Sequence, residues 1–594
     1  MPDDLPRPVL IYDGDCSFCI AWVGFWRSLT GDTLEYLPFQ QASERFPDVP
    51  LEDCRKAVQF ITREGRFPGA EGVCRFLAGV PGYGWLFWCY RFVPGFAALA
   101  SLTYRFIANH RSPAWRFTRA LWGSTIGPAT YRTASEIFSR ALAIIYAIAF
   151  VSFGLQVRGL VGSEGILPAT EFLNAVHKEL GHAAWWRLPT LFWWGNADVT
   201  LLSIAWGGVA LSLVSLLTKA HSLWQRIVFI VLWAYYLSIV NAGQAFMSFQ
   251  WDWLLVETGF LAIFLRPANS RVWLFRWLLF RLMFESGLVK LLSGDPSWRN
   301  LTALHFHYET QPLPTPLAWY MHLAPDWFQK FSVAGVFATE LLLPFLIFAP
   351  RRLKQFAGLG IVAFQCLILL TGNYTFFNLL TIALCLFLFD DTFFARWKLA
   401  VKPAAIRPPN RLATAGIWTL VLFLSLVDAG NMTGTLPAPV GRAAQQIMQF
   451  GFVNHYGLFA VMTTQRLEIQ IEGSQDGQRW EPYLFPYKPG PLNRPLPWVE
   501  PLQPRVDWQM WFAALGNARE NPWFIRMMVG LLRGSKPVEA LFRQTPFSGT
   551  PPKYVRATIY EYHFTSWDER RKSGDYWKRE IKGLYFPVIS LHAE

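Results

Sequence analysis

Near residue 137 the chain changes solvent. A segment of water-soluble composition ends there, and about 290 residues of apolar, aromatic-rich sequence follow, in runs long enough to cross hydrocarbon, which takes about 17 to 25 residues as a helix. The runs fall near 138–157, 199–217, 226–246, 251–265, 272–292, 331–349, 356–372, 374–389 and 413–429, so about nine transmembrane helices are predicted. A chain of 594 residues that is 53% hydrophobic, with 29 Trp and 50 Phe, suits a protein that sits in lipid and marks its interfaces with rings. A formal net charge of +13 invites a nucleic-acid reading, but the basic residues recur in short clusters between apolar spans, so nucleic acid is not an expected partner.

Those clusters set an orientation. Arg132 and Arg140 precede the first span, Lys219 and Arg226 follow the second, Arg266 and Arg271 the fourth, Arg351, Arg352 and Lys354 the sixth, and Arg396 to Arg411 the eighth. All lie on the side of the N-terminus, which the positive-inside rule makes cytoplasmic. No signal peptide is read in the first 30 residues. The loop near 294–330 and everything after Ala429 are then expected on the periplasmic or lumenal side. Asn300, Asn373 and Asn431 head Asn-x-Thr sequons on that side, a number that chance alone supplies.

The expected organisation has three parts: an α/β head over 1–125, a polytopic helical body over 126–435, and a β-rich soluble domain over 436–594. In the head, Val9-Leu10-Ile11-Tyr12 reads as a strand, Ile20 to Leu29 as a helix, and Leu34 to Phe39 and Ala57 to Thr62 as further strands. In the last part, alternation in Leu467 to Glu472 and in Tyr554 to Thr565 reads as strands, and Asp507 to Leu515 as a short helix.

Cys16-Ser17-Phe18-Cys19 follows the first strand and opens the first helix. The first thiol then lies at the positive end of a helix, where a thiolate is stabilised, so Cys16 is expected to attack and Cys19 to resolve. Half a zinc site is the competing reading, but the later cysteines of the head, Cys54, Cys74 and Cys89, form no second CxxC box. Cys366 and Cys385, in the spans, are read as core packing, not as a transmembrane redox relay. His305 and His307, alternating as on a strand, with His322 nearby, lack a convincing further ligand. No metal or cofactor is expected.

Charges within spans carry more information. Asp252, Glu257, Arg281, Glu285, Lys290 and Glu340 form a candidate polar site, with Arg276 beside them. Each charge near mid-bilayer costs roughly 2.5–3.5 kcal/mol, so the four in 272–292 would cost about 10 kcal/mol facing lipid; they must pair, snorkel or line a wet cavity. Arg281 and Glu285, four apart, share a helix face and are expected to pair, while Lys290 points elsewhere. Snorkelling is the plain alternative for Arg276 and Lys290. Asp507, Trp508 and Trp511 offer aromatic and charged groups of the kind that dominate protein recognition, or that pack a domain core.

The head resembles the DCC family of thioredoxin-like thiol-disulfide oxidoreductases, through Tyr12-Asp13-Gly14-Asp15-Cys16-Ser17-Phe18-Cys19 and the Tyr104 to Arg111 stretch. It departs from the usual thioredoxin-like pattern in one respect: the proline expected just before the third strand is absent, Pro50 lying about eight residues ahead of Val58. From about 155 to 590 the chain resembles the lipase maturation factor family. The resemblance rests on Gln250-Trp251-Asp252-Trp253-Leu254-Leu255-Val256-Glu257-Thr258-Gly259, the run from Phe280 through Glu285, Lys290 and Trp298 to Gln311-Pro312, Met462 to Arg466, Ile471 to Ser474, Gln503 to Trp511 and Pro552 to Ala557. It implies a multi-pass membrane protein that, in animals, resides in the endoplasmic reticulum and helps secreted lipases fold. The DCC fusion points to a bacterial member, expected in the inner membrane; in a eukaryote the expected site is the endoplasmic reticulum membrane. Expected partners are membrane lipid, exported clients such as lipases, and a cytoplasmic thiol reductant. More distantly, Gly287-Leu288-Val289-Lys290 followed by Trp298 is similar to a motif in vitamin K-dependent carboxylase, where a lysine near this position acts as a base. The alternative it carries is a membrane-embedded enzyme using Glu285 and Lys290 on a lipid-like substrate.

Overall fold

A computed structural model describes residues 5–591 except 43, 124–125, 196, 267, 402–409 and 548. Part of the predicted Arg396 to Arg411 cluster therefore lies outside the described residues. By contacts the chain gathers into two compact units: one takes in the chain up to Ala129 together with Ala349–Phe356, the other Thr130–Phe348 and Ala357 onward. The helical body and the C-terminal region thus belong to one unit, and the division at 435 remains our proposal for functional parts.

In the head, β1 (Val9–Tyr12), β2 (Glu35–Pro38), β3 (Gln59–Thr62) and β4 (Gly65–Pro68) make one sheet in the order β2-β1-β3-β4, with β1 parallel to β2 and the other pairs antiparallel. Side chains alternate across a strand. Leu10 accordingly joins Val23, Tyr36, Phe60 and Phe76 on one face, while Val9 and Ile11 join Phe46, Cys54 and Ile61 on the other. Beyond the sheet the head departs from an ordinary soluble domain. Helices Gly84–Phe92 and Phe96–Asn109, bent by 115° at their junction, are together apolar enough to count as a further candidate span. They expose Trp85, Trp88, Phe92, Leu99, Leu102 and Phe106.

In the second unit each of the nine expected apolar runs is helical. Among the described residues five helices are long and apolar enough to cross a membrane alone: Arg132–Gly154, Asp198–Leu217, Leu223–Ala242, Arg351–Thr371 and Arg411–Thr433. Their ends are capped as the sequence allows. Ser222 accepts from Gln225 N–H and Asn410 from Leu412 N–H, while Arg132–Gly154 has no local cap and is closed by Asp391, whose carboxylate takes the N–H groups of Arg132 and Thr133. Gln250–Ile263 is shorter and almost wholly buried. Its approach to the first helix requires Gly259, where a Cβ would lie 1.8 Å from Tyr146 Oη. Asn269–Leu292 carries the buried charges. A further helix, Asp326–Phe337, widens into a π turn at Ala338–Leu342 and runs on through Leu343–Leu346, whose Pro344 has no N–H to give.

The C-terminal sheet is antiparallel, with β5 (Arg466–Ser474), β6 (Glu481–Pro482), β7 (Tyr554–Phe564) and β8 (Trp577–Ile589) in the order β6-β5-β7-β8. Helices Arg505–Ala514 and Pro522–Leu532 are inserted between β6 and β7. The fold is thus a thioredoxin-like α/β head, a polytopic helical body and a C-terminal sheet region, as the residues predict.

Candidate functional site

The dithiol sits where strand geometry places it. β1 ends at Tyr12, the turn Asp13-Gly14-Asp15 follows, and Cys16 caps helix Ser17–Thr30, its Sγ accepting Cys19 N–H at 3.3 Å. The turn is held from two sides. Gln40 accepts Gly14 N–H and donates to both Asp13 and Asp15, and Arg111 donates to Asp13 at 3.0 Å. Arg111 also reaches the carbonyls of Arg55 and Lys56, and Tyr104 Oη accepts the N–H of Val58, the residue standing just ahead of β3. Both cysteines are free and part-exposed. Beside Cys19, a small cavity of ≈ 50 Å³ is lined by Trp22, Trp26, Cys54, Val58 and Tyr104. It admits a water or two and no larger molecule, which suits attack on a disulfide presented from outside.

Burial, together with the bond to Cys16, pushes the Cys19 thiol up to about 12. Cys19 is therefore held protonated while Cys16 stands at the helix end. Site-resolved alkylation of the reduced protein from about pH 7 to about pH 10 should label Cys16 and spare Cys19. Equal rates at both thiols would remove the division of labour.

The membrane charges resolve into pairs. Arg281 binds Glu257 and donates to the Asn454 carbonyl, and Glu257 also accepts from Tyr456 Oη at 2.8 Å and Asn454 N–H at 2.9 Å. The expected Arg281–Glu285 pairing is not what forms: Glu285 instead accepts Tyr456 N–H at 3.1 Å, because a neighbouring helix offers Arg281 a carboxylate deeper in the fold. Glu285, Asp428 and His455 bring ligand-type atoms within 4.8 Å of one another. Asp428 and His455 lie 3.5 Å apart, a pair that is ionic when His455 is protonated. Lys290 does not snorkel. It spends its three protons on both oxygens of Glu340, at 2.8 and 3.0 Å, and on the Ser286 carbonyl at 2.9 Å. The π turn aims Glu340 at it. Arg276 is likewise buried, on the Phe387 carbonyl.

Asp252 reaches furthest across the sequence. Arg505 grips both its oxygens at 2.9 Å, and Tyr236 Oη donates to it at 2.5 Å. Around this pair, Trp251 Nε1 donates to Gln503 at 2.8 Å, Ser152 and Gln156 hold the Gln503 backbone, and Phe249 stacks on Trp251, which Trp508 meets edge-on. Arg466 repeats the pattern, donating to the carbonyls of Glu309, Gln311 and Pro312 and to Glu468. The motif-like runs of the body, far apart in sequence, are thus docked on one another.

Three other expectations are corrected. Asp507, Trp508 and Trp511 present no exposed recognition surface: they are 2%, 3% and 8% exposed. Asp507 takes the N–H groups of Tyr487 and Lys488, and Trp511 donates to the Thr310 carbonyl. His305 and His307 lie on the helix Ala303–Thr310, where a spacing of two turns them to different faces; His305 meets Asp326 and His307 meets Tyr374. Cys385 is core, but Cys366 is exposed on the outer side of its helix. The Asn373 sequon is buried, its side chain bonded to Leu313, Pro497 and Val499. Of the residues that sequence reasoning did not single out for a site, Arg505 in the body and Asp13, Tyr104 and Arg111 in the head lie in family-like runs, and that position was their only signal; Asp428, Asn454 and Tyr456 lie outside those runs and gave none.

Comparison with known proteins matches three family models: a DCC1-like thiol-disulfide oxidoreductase over 10–117, a lipase maturation factor transmembrane domain over 133–396, and a lipase maturation factor C-terminal domain over 452–587. Human Lipase maturation factor 2 is 36% identical, across 77% of this chain and 83% of its own. Lipase maturation factor 2 of Xenopus laevis is 35% identical across 78% and 83%, and Lipase maturation factor 1 of mouse 34% across 81% and 89%. No solved structure matches. With its head, its candidate spans and the interlocked body and C-terminal region, this multi-pass membrane protein belongs to the lipase maturation factor family.

Proposed function

We propose that the chain is a membrane-anchored maturation factor for exported proteins, lipases among them, with a head that carries out thiol-disulfide exchange through Cys16 and Cys19. The observation that carries this reading is the interlock of Asp252 with Arg505 and of Arg466 with the 309–312 backbone. It turns the membrane charges into joints of a scaffold and holds the C-terminal region as a fixed platform for clients. The Glu285 and Lys290 chemistry of an embedded enzyme is disfavoured by the same geometry, since all three protons of Lys290 are engaged. The basic clusters support a cytoplasmic N-terminus and a periplasmic or lumenal C-terminal region, in a bacterial inner membrane. On that orientation the head draws electrons from a cytoplasmic thiol reductant, and clients fold on the opposite side.

In a strain lacking the gene, the full chain is expected to restore the activity of an exported lipase, and the Cys16→Ser/Cys19→Ser chain to restore it as well. Failure of the full chain would remove lipases as clients. Failure of the double variant alone would move the maturation function to the head.

A further inference from the structure

Within the second unit lies a cavity of ≈ 540 Å³ that the scaffold reading leaves unused. Ligand pockets typically measure about 300–1,000 Å³, so this one is of full size. Its lining is two-sided in chemistry. Lys290, Glu340, His307, Tyr308 and Tyr374 contribute polar groups, tied together by Trp298 and Phe459: Lys290 Nζ lies 5.3 Å from the Trp298 ring centre, Trp298 Nε1 donates to the Phe459 carbonyl, and Phe459 packs edge-on against His307. The rest is hydrocarbon and rings. Leu317, Phe331, Leu367 and Leu370 line it while being 38%, 69%, 61% and 45% exposed. They stand on helices Pro316–His322, Asp326–Phe337 and Arg351–Thr371, the last a candidate span. In a bilayer Leu367 and Leu370, on that span, meet lipid chains, so the opening faces a source of apolar ligand.

We propose that this cavity binds an uncharged, single-chain lipid whose hydroxyl or ester head lies among His307, Tyr374 and the Lys290–Glu340 pair, and whose hydrocarbon tail runs between the 326–337 and 351–371 helices. The volume corresponds to about eighteen water-sized units, the scale of one long acyl chain. An uncharged head follows from the lining, because Lys290 and Glu340 neutralise each other within hydrogen-bond distance and leave no net charge for a carboxylate or phosphate. His307 agrees with this: burial first, and nearby Lys290 second, hold it down at about 4, so it is a neutral imidazole. Tyr374 Oη, 3.3 Å from its Nε2, supplies a hydroxyl beside it.

Gly335 supplies the test, since it lines the cavity and a Cβ built there meets nothing within 4 Å. The purified full chain in detergent is photolabelled with a monoacylglycerol bearing a diazirine in its tail, and the labelled peptides are mapped. Label is expected on 328–340 and 360–371, to be displaced by unlabelled monooleoylglycerol, and to fall about tenfold in Gly335→Trp with the melting temperature unchanged. Ala363→Phe, which fills the same cavity from another helix, should behave alike and guards against misfolding of the first variant. The proposal is overturned if label spreads over other apolar surfaces without enrichment in these peptides, if both variants label like the parent, or if oleate displaces the probe as well as monooleoylglycerol does. It does not depend on the maturation reading, and loss of lipid binding with client activity retained would leave that reading intact.

Discussion

Replacing Arg505 by methionine is expected to destabilise the body by about 3–5 kcal/mol, the usual result of stripping one partner from a buried ion pair. Asp252 and Arg505 are each 0% exposed, so bulk solvent does not reach the carboxylate that loses its guanidinium. Asp252 would keep only the Tyr236 hydroxyl, and the Phe246 carbonyl would lose its donor. Thermal unfolding of the full chain in detergent measures this, with limited proteolysis between residues 434 and 466 reporting whether the C-terminal region has come away. Asp252→Leu combined with Arg505→Met should recover much of the loss, because removing both charges also removes the unpaired one. A single Arg505→Met chain that melts with its parent would mean that the pair is not a joint of the scaffold.

Cys16→Ser should reduce thiol-disulfide exchange by the head to background. In the balanced reaction the Cys16 thiolate attacks one sulfur of a partner disulfide and releases the other as a thiolate. Cys19, once deprotonated, then displaces the first sulfur, so the partner gains two electrons and the chain is left with a Cys16–Cys19 disulfide. Cys19→Ser removes only the second step and is therefore expected to trap a mixed disulfide at Cys16. Its partner can be identified after non-reducing electrophoresis. Exchange that survives in Cys16→Ser, or a mixed disulfide that forms equally well there, would reassign the attacking thiol.

How much of this was legible in the sequence depended on the range of the interaction. Val9-Leu10-Ile11-Tyr12 announced its strand through four consecutive apolar residues, and the apolar runs of the body announced helices, because both are local consequences of backbone periodicity. Partner choice was not local. Arg281 and Glu285 share a helix face, yet Arg281 is taken by Glu257 from another helix, a competitor that no spacing rule contains. Trp508 and Trp511 failed as surface candidates because a buried core and a recognition surface use the same rings. His305 and His307 looked strand-borne because only two positions separate them; eight helical residues around them settle the matter the other way. Arg505 is legible only as part of a motif, since its meaning depends on Asp252, 253 positions earlier.

That separation also sets a schedule. A ribosome adding about 5–20 residues per second needs roughly 13–50 s to pass from Asp252 to Arg505. Throughout that interval the helix Gln250–Ile263 has already been made, with an acidic side chain whose cation does not yet exist. Glu257 can find Arg281 early, only 24 positions on, but Asp252 must wait for nearly the whole chain. Biogenesis of this protein therefore includes a half-assembled membrane stage with an open polar seam. A chain released before residue 505 leaves that seam unclosed, however well its spans are inserted.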